Sequence, residues 1–309
     1  MRTITGWRGL SATARGASVA MGNFDGVHRG HRAVIDAARR TDMPLGVITF
    51  EPHPRAHFFP DKAPFRLMSR AARANRLAKL GVELLYELPF GAELAALAPE
   101  DFAAEVLAGG LGARHVVVGA DFRFGKGRAG TADQLRALGD ALGFEVTIAP
   151  LVGGPDAAVS STAIRTALSE GRPRDAAAML GHWHRIDGIV EHGEKRGRDL
   201  GFPTANLSLE GLHVPRHGVY AALVDVLDGP HTGSYHGAAS LGVRPQFGGG
   251  AAPNLETYLF DFAGDLYGAQ MSVGLVEFLR PEGRYDGVEQ LVAQMGRDCD
   301  AARRVLAAL

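Results

Sequence analysis

Near residue 183 the hydrophobic pattern of the chain changes period, and no single fold type accommodates both halves. Upstream, short apolar and β-branched runs (18–21, 45–50, 82–88, 115–119, 144–149) alternate with stretches of helical spacing (31–40, 99–108, 131–142). Strands alternating with helices predict βαβ units: a parallel sheet with helices on its faces. Two short helices are expected over 161–170 and 173–180. Downstream, strand-like runs at 185–191, 218–227, 235–242, 255–262 and 269–278 succeed one another at hairpin spacing. Asp228-Gly229-Pro230 and Gly248-Gly249-Gly250 punctuate them. No helix fits between these runs, so the second sheet is antiparallel, and about six strands are expected to close into a small barrel. A last helix over 286–306 sets Val288, Leu291, Val292 and Met295 in a stripe expected to pack on that barrel. The fold class is α/β followed by β, with an open α/β domain over 1–182 and a barrel with its C-terminal helix over 183–309.

Composition narrows the function. A chain of 309 residues can bury two cores. Its 33 Lys plus Arg against 34 Asp plus Glu leave a formal charge of −1, which argues against gripping nucleic acid or anionic membrane by bulk charge. No apolar run approaches the ~18–20 residues that span a bilayer. A single cysteine, Cys299, excludes an internal disulfide framework and a Cys-based zinc site. Residues 1–16 lack the apolar stretch of a secretory signal. These features suit a cytoplasmic enzyme of small-molecule substrates with no nucleic-acid or membrane partner, and they leave room for a weak homo-oligomer.

The strongest motif upstream is GNFDGVHRGH, residues 22–31, between the first predicted strand and helix. Gly22 and Gly26 let the backbone approach a ligand, Phe24 and Asp25 flank that loop, and a helix N-terminus offers free N–H groups to a phosphate. His28 and His31, three apart, point to one side of the first turn. Two surface histidines or a metal ligand would give the same spacing; strand, glycines and helix together favour a phosphate-facing pair. Downstream, Ser160-Ser161-Thr162-Ala163-Ile164-Arg165 opens the 161–170 helix. Its hydroxyls serve as caps, and with Arg165 they can also clamp a polyphosphate.

The second half carries Gly193, Gly197 and Gly201 ahead of Pro203-Thr204-Ala205-Asn206. Such a loop can wrap phosphates while the Thr204 and Asn206 oxygens ligate Mg²⁺, although the same residues are common turn chemistry. In 254–262, alternation places Glu256 with Tyr258, Phe260 and Phe262 on one face. A carboxylate there is either a rim residue or a general base.

GNFDGVHRGH, TFEPHPR (49–55), VVVGADFRFGKGRAGT (116–131) and VSSTAIRTAL (159–168) occur in the order seen in bacterial bifunctional riboflavin kinase/FAD synthetases, and this half resembles their FMN adenylyltransferase domain, a Rossmann-like nucleotidyltransferase. GRDLGFPTANL, GVYAALV, LGVRP, LETYLFDFAGDLYG and the segment 276–298 resemble the family's riboflavin kinase barrel. The resemblance implies ATP-dependent phosphorylation of riboflavin to FMN, then adenylylation of FMN to FAD with release of pyrophosphate, both with Mg²⁺. It implies that His28 and His31 stabilise adenylyl transfer and that Ser161, Thr162 and Arg165 hold pyrophosphate. Phe58, Asp121 and Phe122 would line the flavin pocket, Thr204 and Asn206 would bind Mg-ATP, and Glu256 would be the kinase base. The chain departs from the family pattern at Pro245-Gln246, in the glycine-rich 248–250 loop and at Arg280–Tyr285. A relative with one decayed module, the kinase being the weaker, or a non-catalytic flavin-binding regulator are the rival expectations.

Overall fold

In this computed structural model, which describes residues 1–153, 159–193, 197, 200–245 and 251–309, the chain divides into two units. One is Met1–Lys62 with Arg70–Ser160; the other is Ala63–Ser69 with Ser161–Leu309. Gln246 and residues 248–250 lie outside the described residues.

The first unit is built on strands β1 (Arg2–Thr5), β2 (Ser18–Met21), β3 (Leu45–Glu51), β4 (Leu84–Pro89) and β5 (His115–Gly119), a small ribbon of β6 (Arg123–Phe124) and β7 (Gly130–Thr131), and β8 (Glu145–Ala149). The main sheet is parallel throughout, in the order β1-β4-β3-β2-β5-β8. Its central strands carry continuous apolar runs because both faces are covered: Val19, Ala20, Val47, Ile48, Leu85, Val116 and Val117 are all buried. The strand order reverses between β2 and β5, and ligands of open α/β sheets bind in the crevice outside the carboxyl ends at such a point. The expected strands are present, and β1 joins them at the edge. The 99–108 helix differs: a turn at Pro99–Asp101 runs into a π-helix, Phe102–Leu111. There Gly109 and Gly110 leave their carbonyls to the Arg15 guanidinium, at 2.8 and 2.5 Å. Thr131 caps the Ala132–Leu142 helix, its hydroxyl accepting from the Gln134 N–H at 3.1 Å.

The second unit carries β9 (His184–Ile189), β10 (Thr204–Ser208), β11 (Gly218–Val226), β12 (Gly233–Pro245), β13 (Ala251–Leu259) and β14 (Gln270–Arg280), antiparallel in the order β10-β13-β12-β11-β14-β9. The sheet curls into a half-barrel, and a bridge from Glu191 to Asn206 links the chain after β9 to β10. Leu207, Val224, Leu241, Leu255 and Val273 fill the inside. On the outer face Ala221, Ala238, Phe260 and Val276 lie under Ala302 and Leu306 of the C-terminal helix Val288–Leu306.

Three expectations are corrected here. Residues 204–208 form a strand and not a loop. The packed part of the last helix is its C-terminal half, while Val288 is 61% exposed. Phe262 packs with the barrel interior, away from Tyr258 and Phe260, because β13 ends at Leu259 and Asp261 takes a left-handed φ of 55° that breaks the alternation. Helices Ser161–Ser169 and Pro173–Leu180 pack in this unit through Ile164, Leu168, Ala176 and Leu67.

Burial at the start of β9 holds the His184 imidazole down at about 3, with His213 and His182 adding to the effect. The unfolded chain takes up that proton near pH 6.5 and the folded chain does not, so acidification favours unfolding between those values. A single such group costs ~1.4 kcal/mol per pH unit, hence about 2 kcal/mol between pH 6.5 and 5. Urea unfolding of the wild type and of His184→Gln should show a pH slope shallower by that amount in the variant. Equal slopes would mean that His184 titrates normally.

Candidate active sites

In the first unit the candidate residues sit on loops after β2, β3 and β5. The chain leaves β2 through Gly22 and turns with Phe24 at φ 51°, Gly26 at 87° and Val27 at 43°. Left-handed backbone at a buried aromatic and a β-branched residue is strained, and such strain persists only where the surroundings enforce it. The Thr49 hydroxyl of the TFEPHPR segment donates to the Asn23 carbonyl at 3.2 Å, tying the two motifs together. Asp25 and His28 are buried. His28 is the N-cap of the helix Arg29–Ala37; its Nδ1 accepts from the His31 N–H at 3.2 Å, which leaves its proton on Nε2. The two rings stack, with centroids 3.6 Å apart, and Phe24 leans on His31 at 5.1 Å. His31 Nδ1 is buried without a hydrogen-bond partner. Burial first, then His28, hold His31 well below the usual imidazole range, so it is neutral at pH 7.

Phe58 ends the short helix Pro54–Phe58, is 57% exposed, and packs edge-on against Phe90 at 5.7 Å. Asp121 is exposed after β5, whereas Phe122 is half-buried and stacked on Phe124 at 6.0 Å. Ser161, Thr162 and Arg165 belong to the second unit, at the start of the helix Ser161–Ser169. The Arg165 Nε donates to the Phe65 carbonyl at 2.6 Å and its guanidinium lies 5.4 Å from the Phe65 ring centroid.

The second unit holds a cavity of about 300 Å³ between the outer face of the sheet and the last helix, with Thr204, Glu256, Tyr258, Arg280, Met295 and Cys299 among its walls. Thr204 and Asn206 alternate on β10 and so share a face, and Asn206 stands directly opposite Glu256 of β13. The strand therefore brings together three residues that the sequence names separately. Glu256 is exposed to the cavity and not sealed among the aromatic side chains. Two glycines make room. A Cβ on Gly193 would lie 2.5 Å from Asn206 Nδ2, and one on Gly197 would lie 2.4 Å from the Phe202 carbonyl oxygen and 3.7 Å from Thr204 Oγ1. Gly201, at φ 83°, supplies the turn that leads into β10.

Comparison with known proteins fits this two-part arrangement. The FAD synthetase family model matches residues 10–163 and the riboflavin kinase model residues 180–306. The bifunctional riboflavin kinase/FMN adenylyltransferase of Pseudomonas fluorescens is 40% identical over 99% of this chain and 98% of its own. That of Escherichia coli K12 is 39% identical over 98% and 97%. The chain belongs to the bifunctional riboflavin kinase/FMN adenylyltransferase family. Bacillus subtilis has a member 36% identical over 93% of this chain and 91% of its own. A crystal structure of a macrolide-efflux protein from Streptococcus pneumoniae superposes with a TM-score of 0.84 at 32% identity, covering 97% of this chain and 98% of that one. Among the described residues of this family member, no helix is long and apolar enough to cross a membrane.

Two polar residues from the ends of the 276–298 segment meet in the kinase-like cavity. Arg280 grips Asp298 with both arms, Nε to Oδ1 at 2.8 Å and Nη2 to Oδ2 at 2.6 Å, and fastens β14 to the last helix. They are 18 residues apart on different elements, so no periodicity joins them. Cys299, beside them, is pushed up to about 11 by burial and by Asp298. Two units above the ordinary 9.0 leave roughly 100-fold less thiolate. Maleimide should therefore label Cys299 in the folded family member about 100-fold more slowly at pH 7.5 than in urea. Equal rates would show an accessible, ordinary thiol.

Proposed function

We propose that the chain makes FAD in two ATP-dependent steps: the second unit phosphorylates riboflavin to FMN, and the nucleotidyltransferase module adenylylates FMN with loss of pyrophosphate. The observation that carries this reading is the opposition of Asn206 and Glu256 beside a flavin-sized cavity in one unit, with the stacked His28–His31 pair at a parallel-sheet crevice in the other. The working modules are residues 1–182 and 183–309, and the protein acts in the cytoplasm.

In the kinase step the isoalloxazine occupies the cavity against Tyr258 and Met295, and Glu256 takes the proton of the ribityl 5′-hydroxyl as its oxygen attacks the γ-phosphorus and ADP leaves. Thr204 Oγ1 and Asn206 Oδ1 are hard oxygen donors in a pocket kept open by Gly193 and Gly197, and they fit Mg²⁺. The ion, when bound with ATP, offsets charge on the phosphates. In the adenylyl step His28 Nε2–H and His31 meet the charge that develops at the α-phosphorus. Gly22, Phe24, Asp25 and Gly26 shape the phosphate loop. Ser161, Thr162 and Arg165 hold the leaving pyrophosphate, and Phe58, Asp121 and Phe122 face the flavin.

The test is a time course of purified protein with riboflavin, ATP and Mg²⁺, resolved by chromatography. FMN should rise first and then give way to FAD. FAD from supplied FMN but nothing from riboflavin would mean a decayed kinase. No product from either would leave a flavin-binding protein without chemistry.

A further inference from the structure

We propose that Asn254 is a positioning residue of the phosphoryl-transfer site, holding the amide oxygen of Asn206 and the carboxylate of Glu256 in one fixed relation. The proposal rests on the roles given above to those two residues. Asn254 lies two positions before Glu256 on β13, on the same face, and is only 8% exposed. Its Nδ2 donates to Asn206 Oδ1 at 2.9 Å and, at 3.4 Å, reaches Glu256 Oε1. One buried amide thus touches both partners.

The consequence for Asn206 is directional. An asparagine amide fits its site in two orientations that differ only in which end carries the oxygen. Here both ends are specified. Oδ1 receives Asn254, while Nδ2 points to the Thr204 carbonyl at 3.4 Å and lies against Gly193. Turning the amide over would set one NH₂ group against another. Asn254 occupies one of the two lone pairs of Oδ1, and the second is left for a cation. The consequence for Glu256 is restraint. Its carboxylate is exposed and its side chain long, so a donor anchored in the strand narrows where the carboxylate points.

Asn254→Asp keeps the shape and replaces the donor with an acceptor, which turns Asn206 over and repels Glu256. It should lower kcat for FMN formation by ~10–100-fold, the usual effect of removing a group that orients a metal ligand, and leave the KM for riboflavin unchanged. Calorimetry with Mg·ADP, without riboflavin, should show binding weakened about tenfold, and with ADP alone no change. Asn254→Ser, which still donates, should recover part of kcat. Because Asn254 acts through Asn206 and Glu256, Asn206→Ala with Asn254→Asp should be slowed by less than the product of the two single losses. A cooperatively folding Asn254→Asp with wild-type kcat and Mg·ADP affinity would overturn the proposal, as would two losses that simply multiply. Should Asn254→Asp fail to fold, Asn254→Ser against Asn206→Ala carries the same comparison. Glu256→Ala and Asn206→Ala run in parallel separate the levels. If they retain kinase activity, the reading of the site falls; if they lose it and the Asn254 variants do not, only the role of Asn254 falls.

Discussion

Glu256→Ala should slow FMN formation from riboflavin by ~10²–10⁴-fold, the usual contribution of a general base, and leave FAD formation from supplied FMN at the wild-type rate. The selectivity follows from topology. Glu256 stands on β13 of the second unit, opposite Asn206, whereas His28 and His31 stand on the loop and helix after β2 of the first. The size follows from chemistry. A primary alcohol is a poor nucleophile until its proton has somewhere to go, and Glu256 is the cavity carboxylate that stands directly opposite Asn206, while the neighbouring Asp298 is already held by Arg280. Since Glu256 is exposed, its removal should change stability by no more than about 0.5 kcal/mol. A rate loss in a variant with an unchanged melting curve is therefore a loss of chemistry. Parallel loss of both activities would refute separate sites, and a kinase within threefold of wild type would remove Glu256 from the base role.

What the sequence discloses of this site, and what it hides, has physical causes. His28 and His31 are legible because residues three apart at the start of a helix share a side, and the rings do stack. Glu256 is legible because strand alternation fixes its face. β10 is not, since Pro203 and the preceding glycines read as turn chemistry, and what makes 204–208 a strand is its pairing with β13, about 50 residues downstream. The place of Phe262 is hidden for a related reason: alternation holds only while the strand lasts, and the left-handed Asp261 ends it. Asn254 carries no motif at all. Its meaning comes from Asn206, 48 residues away in sequence and 2.9 Å away in space. The last helix shows a further limit. A 3.6-residue period identifies an apolar stripe without telling which end docks, and here Ala302 and Leu306 dock while Leu291 and Met295 border the cavity.

His31→Ala should produce the complementary result: FAD formation from FMN slowed by ~10²–10³-fold, the usual cost of deleting one preorganised donor to a developing oxyanion, with riboflavin phosphorylation unchanged. The free enzyme keeps this imidazole neutral by burial and by the stacked His28, and leaves its Nδ1 buried without a partner. A buried polar atom without a partner costs stability in the resting protein. Such a cost is tolerable where a ligand supplies the missing partner, and a triphosphate offers both the acceptor oxygens and the negative charge that would favour an imidazolium. The interaction is then worth most when charge on the α-phosphoryl group is greatest, so the loss should fall on kcat more than on the KM for ATP. His31→Gln, which retains an N–H donor, should recover part of the rate. Removing the ring also relieves the unpaired atom, so His31→Ala should be no less stable than its packing loss against Phe24 and His28 requires. A variant that melts as the wild type does and still adenylylates FMN at the wild-type rate would show that the pair is structural and that its neutrality serves the fold alone.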